Sequence, residues 1–370
     1  MDLARLPLRR LAGRIAEGID STLLVLLLTL SMVGFAVLYS ASYDVPGRVA
    51  AQLVSLTIAL TAMWIVAQVP PQTMMRFAVP AYVVGLAFLI AVALAGDVVN
   101  GARRWLHVGV TRFQPSEMMK LALPLMLAWY FHKNETTLRW RDYFVAGFLL
   151  LVPLGLILRQ PDLGTAGLVG TAGFFIMFFA GMSWRVIGAI ATAGAAAVPV
   201  LWPFLHDYQR RRILTLLDPS SDPLGAGYHI IQSTIAVGSG GLAGKGWLNG
   251  TQSHLEFIPE RHTDFIFAVF SEEFGLIGNI ALIVLYTLLV ARGLMIAANA
   301  ATLFGRLLAA SIALQFFVYA FVNMGMVSGI LPVVGVPLPF LSYGGTALLT
   351  LFIGAGILMS IQRHRKLVQT

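Results

Sequence analysis

The chain is dominated by ten apolar runs, each long enough to cross a hydrocarbon core of ~30 Å. They occupy residues 22–40, 49–68, 78–96, 116–132, 143–158, 165–182, 186–204, 264–292, 307–330 and 341–361. Inside a bilayer every backbone N–H and C=O must be bonded within the protein, so such runs are predicted to be helices. We therefore predict an all-α, polytopic integral membrane protein with about ten transmembrane helices.

The composition supports this fold class and excludes several kinds of site. The chain is 58% hydrophobic and 11% charged, more apolar side chain than a soluble domain of 370 residues could bury. Cysteine is absent, which excludes disulfides, a thiol nucleophile and a Cys-based metal site. In a membrane protein the net charge of +8 is attributed to topology and anionic lipid, so nucleic acid is not an expected partner.

Lys and Arg concentrate in both terminal tails and in alternate short loops, which predicts that both termini are cytoplasmic. The longest connection, residues 205–263, then lies on the outer face. Connections this long are usually functional or disordered. Within it, "YHIIQSTIAV" is interpreted as a short amphipathic helix, and we expect the loop to be ordered on the outer membrane surface.

A first polar cluster lies in "NGARRWLHVGVTRFQPSEMMK", residues 100–120. Arg104 and Trp105 fall in an outward loop, whereas Glu117 and Lys120 lie just inside a spanning helix. Their i,i+3 spacing lets Glu117 and Lys120 meet on one helix face, and intramembrane charges normally need such partners. A structural ion pair and a functional site both remain open for this pair, as do an interfacial anchor and a substrate contact for Trp105.

Two further clusters flank the middle of the chain. In "RQPDLGT", Pro and Gly break the helices, and Asp162 and Thr165 can cap the following one, with Thr165 favoured for that role. Asp162 is left to pair with Arg159 or to line a site. The adjacent residues 210–212 are all Arg, and guanidinium groups suit phosphate oxygens, although a loop lying on anionic headgroups would explain them too.

The stretch "ERHTDFIFAVFSEEFG" places Asp264 at the start of a predicted helix. A Thr263/Asp264 helix cap explains the carboxylate well, because the helix dipole favours negative charge there. A general base facing the outer boundary, with Arg261 and His262 beside it, is the alternative.

Three other features bear on function. Glu272 and Glu273 are expected ~12–14 Å deeper along the same helix, as cavity-facing groups or as structural partners of buried cations. Residues 331–346, "LPVVGVPLPFLSYGGT", form a Pro/Gly-rich outward loop that contains Ser342 and enters the last span. "GSGGLAGKG" departs from a nucleotide-binding loop, and H-E-x-x-H is absent, so neither ATP hydrolysis nor a zinc hydrolase is indicated.

The motifs together resemble one family over the whole chain and in the right order. They are "RRWLHVG", "RFQPSE", "QPDLGT", "DPLGAGYHIIQS", "GSGGLAGKGWLNGTQ", "LEFIPERHTDFIFAVFSEEFG" and "GILPVVGVPLPFLSYGGT". The chain resembles the SEDS family (shape, elongation, division and sporulation proteins). "QPDLGT", "PERHTDFIFAV" and the short tails are similar to its elongation branch, the RodA subgroup, rather than to the division paralogue FtsW.

This resemblance implies a single inner-membrane domain over residues 1–370 that acts as a peptidoglycan glycosyltransferase. The enzyme would polymerise lipid II, the disaccharide-pentapeptide on undecaprenyl pyrophosphate, at the outer face during cell elongation. The family's essential aspartate maps onto Asp264, its loop tryptophan onto Trp105, and its P-S-E-x-x-K residues onto Glu117 and Lys120. The implied partners are a class B penicillin-binding protein and the MreC, MreD and RodZ components.

Pyrophosphate is already a good leaving group, so one base with cationic stabilisation should suffice where a glycosidase needs two carboxylates. We expect Asp264 to be that base. The candidate substrate contacts, some of which would stabilise the diphosphate, are Arg48, Arg104, Trp105, Glu117, Lys120, Gln160, Asp162, Arg210, Arg212, Arg261, His262 and Ser342. A divalent cation, Mg²⁺ or Mn²⁺, is a further candidate, with no metal ligands assigned. A lipid II flippase and a non-catalytic scaffold that activates a penicillin-binding protein are the alternatives.

Overall fold

The computed structural model describes residues 19–365 apart from 44, 46, 100–101, 109–110, 205–206, 223–224, 256 and 259. The basic tails that served to orient the chain fall largely outside these residues. The long helices are α1 (Ser21–Ala41), α2 (Arg48–Gln68), α3 (Pro71–Ala95), α4 (Pro115–Lys133), α5 (Trp140–Arg159), α6 (Leu163–Phe179), α7 (Trp184–Leu201), α11 (Ile266–Ala298), α12 (Leu303–Val327) and α13 (Gly345–Arg363). Between α7 and α11 lie α8 (Asp207–Leu217), α9 (Ala226–Ser239) and α10 (Thr251–His254).

Each of the ten predicted apolar runs coincides with a long helix, which confirms the helical membrane fold. Seven of these helices are long and apolar enough to cross a membrane, and α6 and α7 are shorter apolar helices. α4 carries Glu117, Lys120 and Lys133 within its length. The number of crossings, predicted as ten, stays a prediction.

α12 lies at the centre of the bundle and packs against α11, α6, α4 and α13. Its buried side chains include Phe304, Phe316 and Tyr319. α13 packs along α2, where Gly356 allows the α2 backbone at Met63 to approach closely. Because α12 contacts so many neighbours, polar groups on its last turns can meet several parts of the chain.

Residues 97–113, predicted as an outward loop, contain a small antiparallel sheet. Its strands are β1 (Asp97–Val99), β2 (Ala102–Val108) and β3 (Thr111–Phe113), in the order β1-β2-β3. β2 packs against α3, and the Phe113 ring lies 5.8 Å from that of Phe88. Arg104 and Trp105 are therefore carried by a strand, which fixes their positions relative to α3.

Over the part that the structure describes, the long connection holds the helices α8, α9 and α10, whereas the sequence predicted one. The predicted amphipathic segment is α9, which packs against α11. Ser233 Oγ, buried on α9, donates a hydrogen bond to the Val327 carbonyl at the end of α12. The middle of the connection is thereby attached to α12, the central helix of the bundle.

α11 is not the single span that the sequence predicted. A straight helix of 33 residues would be about 50 Å long, well beyond the ~30 Å core. The helix is broken at Gly275, with φ 64° and ψ −161°. Ser271 Oγ donates to Asn279 Oδ1 at 3.0 Å, although residues eight apart on a straight helix are about 12 Å apart. Residues 266–274 therefore turn back toward residues 276–298.

This bend corrects the expectation that Glu272 and Glu273 lie deeper in the membrane than Asp264. Ser40, near the C-terminal end of α1, donates to Glu273, and the next carbonyl, that of Ala41, accepts from Arg261, three residues before Asp264. Glu273 and the turn that carries Asp264 therefore meet the same end of α1. The two glutamates lie beside the bend, toward the helix end, because the segment that carries them reverses direction.

The glycine-rich residues 240–246 pack directly on this bend. The N–H groups of Leu276 and Ile277 donate to the Gly241 and Leu242 carbonyls at 2.9 and 3.1 Å. Glu272, with no exposed surface, accepts hydrogen bonds from Lys245 Nζ at 2.7 Å and from the Thr251 and Gln252 N–H groups at 2.9 Å each. Of the two interpretations offered for Glu272 and Glu273, pairing with a cation holds for Glu272, whose partner Lys245 is half-buried, while Glu273 accepts from Ser40. The glycines serve a close contact between backbones, not a nucleotide.

Replacing Gly244 by Ala is expected to destabilise the protein by about 1–3 kcal/mol, the usual cost of a strained backbone conformation. Its φ is +78°, and an added Cβ would lie 2.1 Å from the Glu273 carbonyl oxygen. The matched control is Gly238→Ala on α9, where a Cβ meets nothing within 4 Å and should stabilise the helix slightly. Thermal unfolding in detergent checks both variants. Equal midpoints for the two would contradict the packing of residues 240–246 on the bend.

Candidate active site

Asp264 belongs to a compact turn, residues 260–265, that immediately precedes α11. The Glu260 carbonyl accepts hydrogen bonds from the Thr263 N–H at 3.0 Å and the Phe265 N–H at 3.2 Å. Thr263 Oγ1 also donates to the Glu260 carboxylate at 3.0 Å. The turn is thus closed on itself, and Asp264 is presented half-buried at its end.

Two elements contact this turn, namely α12 and the loop between α12 and α13. The Asn323 side-chain amide, on the last turn of α12, donates to the Asp264 carbonyl at 2.8 Å and to the Val336 carbonyl at 2.7 Å. A Cβ built on Gly335 would lie 3.4 Å from Asp264 Oδ2, so this glycine lets the loop between α12 and α13 run close beside the carboxylate. Asn323 therefore joins α12, the catalytic candidate and that loop.

Ser342 supports the same turn from the loop that precedes α13. Its Oγ donates to the Thr263 carbonyl at 2.7 Å and accepts from the Leu338 N–H at 2.8 Å. The Gln52 side chain on α2 donates to the Ser342 carbonyl at 3.2 Å. Ser342 was predicted as a substrate contact, and the structure gives its hydroxyl a supporting role.

Cations and aromatic rings surround the open side of the turn. The Tyr343 N–H donates to the His262 carbonyl at 2.9 Å, and the Arg48 guanidinium lies 5.7 Å from the Tyr343 ring centroid. Arg261 is buried, and its Nε donates to the Ala41 carbonyl at the end of α1 at 2.8 Å. The structure therefore brings Arg48, Arg261 and His262 to the Asp264 turn, as the sequence predicted for the last two.

The helix cap that competed with the base interpretation is not formed. α11 begins at Ile266, its N-cap residue is Phe265, and among the described residues no side chain caps its first turn. Burial, and to a lesser extent the negative charge of Glu260, raise the pKa of Asp264 to about 6. A carboxylate that titrates near the working pH is suited to accept a proton.

The "RQPDLGT" turn forms a second polar group, tied to the sheet. Arg104 donates from Nε to the Gln160 carbonyl at 3.2 Å and from a terminal nitrogen to the Pro161 carbonyl at 2.6 Å. Gln160 is buried and donates to the Leu89 carbonyl on α3. Asp162, not Thr165 as predicted, caps α6, because its Oδ1 accepts from the Thr165 N–H at 3.1 Å while the Thr165 side chain faces inward.

This second group is linked to Asp264 by the loop before α13. A Cβ on Gly164 would lie 2.8 Å from the Val334 carbonyl, and Gly335 follows directly beside the Asp264 carboxylate. Asp162 also accepts a hydrogen bond from Gln114 at 3.2 Å. The turn after α5 thus contacts Gln114 at the start of α4 directly, and it contacts the loop that runs beside the Asp264 carboxylate.

Glu117 and Lys120 form the predicted ion pair at 2.5 Å, fully within the bundle. Lys120 also lies 5.1 Å from the Tyr319 ring centroid, one turn before Asn323 on α12. Glu117 Oε2 is buried without a hydrogen-bond partner among the described atoms, and Glu117 lines a cavity of about 330 Å³ between α3, α4 and α13. The pair is therefore buried on one face of α4, beside α12, and leaves one oxygen of the Glu117 carboxylate without a partner among the described atoms.

The remaining candidates lie elsewhere. Arg210, on α8, donates to the Trp202 and Pro203 carbonyls within its own connection, and Arg212 is half-buried on the same helix. Trp105 is half-buried on β2. The contacts that the structure describes do not join Arg210 to the Asp264 turn, because its guanidinium closes the chain between α7 and α8.

Over the described residues, three or more His, Cys, Asp or Glu side chains nowhere gather as a metal site. At the Asp264 turn, the acidic neighbour whose charge raises the pKa of Asp264 is Glu260. Two carboxylates alone do not make a resident site for Mg²⁺, which usually also takes waters and substrate phosphate as ligands.

All these groups lie at one end of the bundle. They lie at the end of α1, the starts of α2, α4 and α6, the end of α12 and the start of α13.

Sequence reasoning missed Asn323, Gln52 and Tyr343, which hold or border the turn. Asn323 is a polar residue in an apolar helix, and that signal was available; Gln52 offered the same signal at the start of α2.

Known proteins of one family are similar to this chain over nearly its whole length. The family model described as "Cell cycle protein" (FtsW/RodA/SpoVE) matches residues 20–367. The chain is 52% identical over 351 residues to "Peptidoglycan glycosyltransferase MrdB" of Escherichia coli K12, covering 95% of each chain. It is 32% identical over 423 residues to "Peptidoglycan glycosyltransferase RodA" of Treponema pallidum, covering 94% of this chain and 98% of that one.

Two solved structures are similar over nearly the whole chain. A chain from a peptidoglycan synthase complex that coordinates polymerization and crosslinking superimposes with a TM-score of 0.83 and 37% identity, over 94% of this chain and 98% of that chain. The rod shape determining protein RodA of Thermus thermophilus gives a TM-score of 0.72 and 30% identity, over 94% and 97% of the two chains.

Proposed function

The chain belongs to the FtsW/RodA/SpoVE family, and on that premise we propose that it is a peptidoglycan glycosyltransferase that uses Asp264 as its general base. Its substrate is lipid II, and its product is a glycan strand made during cell elongation. The observation that carries the assignment of the base is the half-buried carboxylate just before α11, which makes no cap to that helix among the described contacts. Burial raises its pKa to about 6, which supports the assignment.

The reaction needs one base. The C4 hydroxyl of one lipid II attacks the anomeric carbon of the growing chain, and its proton passes to the Asp264 carboxylate. The bond from the anomeric carbon to the lipid diphosphate breaks, and the diphosphate leaves with the bonding electron pair. Inversion at that carbon follows from the direct displacement. The hydrogen bonds from Asn323 and Ser342 to the turn favour a fixed position for the carboxylate.

Arg48 is the best-placed cation for the departing diphosphate. Its guanidinium stands over Tyr343, which is bonded to the same turn as Asp264. Arg261 and Arg104 spend hydrogen bonds on backbone carbonyls, and Arg210 closes its own connection. A guanidinium that stacks on a ring keeps its N–H groups for phosphate oxygens, and this supports Arg48 over the other three.

We place the protein in the bacterial inner membrane with both termini cytoplasmic, which sets the Asp264 end of the bundle on the outer face. A class B penicillin-binding protein is its proposed partner, with MreC, MreD and RodZ as further components. A divalent cation, Mg²⁺ or Mn²⁺, would be shared with the substrate's diphosphate.

Polymerisation by purified protein tests the proposal against its alternatives. The candidate side chains occupy one end of the bundle, which supports a polymerase over a lipid II flippase with a polar path across the membrane. Detergent-solubilised protein with the penicillin-binding partner is expected to convert lipid II into glycan strands. Absence of product with Mg²⁺ or Mn²⁺ added would favour the flippase or the non-catalytic scaffold.

The polymerisation rate is expected to rise about tenfold between pH 5 and pH 7. Asp264 acts as the carboxylate, and with a pKa of about 6 its ionised fraction rises from roughly one tenth to nine tenths over that range. Glu260→Gln should move this rise to lower pH, because one of the two causes that raise the pKa is removed. Initial rates across the range check it; a profile that is flat from pH 5 to 7 in both proteins would contradict it.

A further inference from the structure

Residues 241–248, called here the 241–248 loop, expose large apolar side chains at the bend of α11. Leu242 is 71% exposed, Trp247 47% and Leu248 39%. A cluster of exposed apolar side chains on a loop usually marks a surface that something else covers.

The loop holds these side chains outward because its backbone is fixed. Its carbonyls at Gly241 and Leu242 accept from the N–H groups of α11, and the Gly246 N–H donates to the Glu273 carbonyl at 3.0 Å. Lys245, the only charged side chain in the loop, is bonded to buried Glu272. The exposed residues therefore stay on the surface as a rigid apolar edge.

On one side, the edge continues the exposed stripe of α1. Val25, Met32 and Tyr39 follow each other at seven-residue spacing on one face of this candidate membrane span and are each at least half exposed. The Trp247 ring lies 6.0 Å from that of Tyr39, and its indole N–H donates to the Ala36 carbonyl at 2.9 Å. The loop thus lies beside the last turns of a helix whose exposed stripe is apolar and long enough to face lipid.

On the other side, the edge continues the exposed face of α11. Leu242 is bonded through its carbonyl to Ile277, which is 65% exposed. Ile280 and Val284 extend the same exposed face along the spanning part of α11. Acyl chains that cover these residues would meet Leu242 without a break.

From this continuity we propose that the 241–248 loop is seated in the lipid interface of the bilayer, with phospholipid acyl chains as the occupant of its apolar edge. Leu242 and Leu248 contact the chains, and Trp247 with Tyr39 forms an aromatic anchor at the headgroup boundary, where such rings are favoured. Because Glu272 also binds Thr251 and Gln252, the anchor sets the height of the segment that leads to the Asp264 turn. The proposal does not depend on the enzymatic activity.

Single-cysteine labelling tests the proposal cleanly, because the native chain has no cysteine. Leu242→Cys and Leu248→Cys are each labelled with a nitroxide in phosphatidylcholine–phosphatidylglycerol bilayers. Met32→Cys on the α1 stripe is the reference for a lipid-exposed position. Ser221→Cys, on an exposed polar turn, is the reference for a water-exposed position. Collision rates with oxygen, which partitions into lipid, are compared with those of a water-soluble nickel complex.

We expect the oxygen-to-nickel ratio at both loop positions to be several times that at Ser221 and close to that at Met32. A ratio equal to that at Ser221 would place the loop in water and overturn the proposal. Low collision rates with both reagents would show a protein covering the loop, and this would overturn it as well. In the Leu242→Cys background, Trp247→Ser should shift the ratio toward water and Trp247→Phe, which keeps a ring, should not.

Discussion

Asp264→Asn is expected to lower the rate of glycan polymerisation by about 10²–10⁴-fold, the usual contribution of a positioned general base. Asparagine keeps the size of the side chain and loses the basic oxygen. The contacts that hold the turn should survive, because Asn323 binds the Asp264 carbonyl and Ser342 binds the Thr263 carbonyl, both of them backbone groups. The loss should therefore appear in turnover, with the protein still folded.

Asp218→Asn is the matched control for this variant. Asp218 is an exposed aspartate in the same long connection, and its carboxylate accepts hydrogen bonds only from its own turn among the contacts described. We expect wild-type rates from it. Initial rates on lipid II, with thermal unfolding and binding of the partner measured in parallel, separate loss of chemistry from loss of fold. Folded Asp264→Asn protein that polymerises at the wild-type rate would sink the base assignment.

The second large effect concerns the buried ion pair of α4. Lys120→Met leaves the Glu117 carboxylate charged and uncompensated inside the bundle, and removing one partner of a buried pair costs about 3–5 kcal/mol. The loss of unfolding free energy is larger because Glu117 is itself buried and lines an apolar cavity, where its charge is poorly solvated. A strong fall in the thermal unfolding midpoint in detergent is the expected result.

The double variant Glu117→Gln with Lys120→Met separates stability from activity. Neutralising both members removes the stranded charge, so the unfolding midpoint should recover most of the loss. Polymerisation should stay well below wild type, because the variant also loses the carboxylate of Glu117, a predicted substrate contact that lines the cavity. Recovery of both properties would make the pair purely structural, which is the interpretation that the sequence left open.

Much of the site could be predicted from individual residues. The sequence offered Asp264 as a helix cap or as a base beside Arg261 and His262, and the i,i+3 spacing of Glu117 and Lys120 predicted their contact. The supporting residues were harder to predict. Asn323, Gln52 and Tyr343 act through hydrogen bonds to backbone groups far away in sequence, and no local spacing encodes such partners.

The errors share one physical cause. A hydrophobic run reports its length and its apolar character, and residues 264–292 therefore read as one span, with Glu272 and Glu273 deeper than Asp264. A single glycine with left-handed φ reverses the chain at Gly275 and moves both glutamates to the bend. The N-cap of α6 was misassigned to Thr165 for a related reason, because several residues could cap and only the turn geometry selects Asp162.

By itself, the sequence determined that this protein lies in a membrane, that its fold is helical and that its polar candidate residues lie at one end of the bundle. These follow from the cost of exposing apolar side chains to water and of burying unpaired charge in lipid, which act on each residue separately. Only the tertiary structure decided which groups hold the Asp264 turn, which arginine lies over the Tyr343 ring and how the long connection is attached. Those outcomes depend on backbone contacts between distant segments, and such contacts exist only once the bundle has formed.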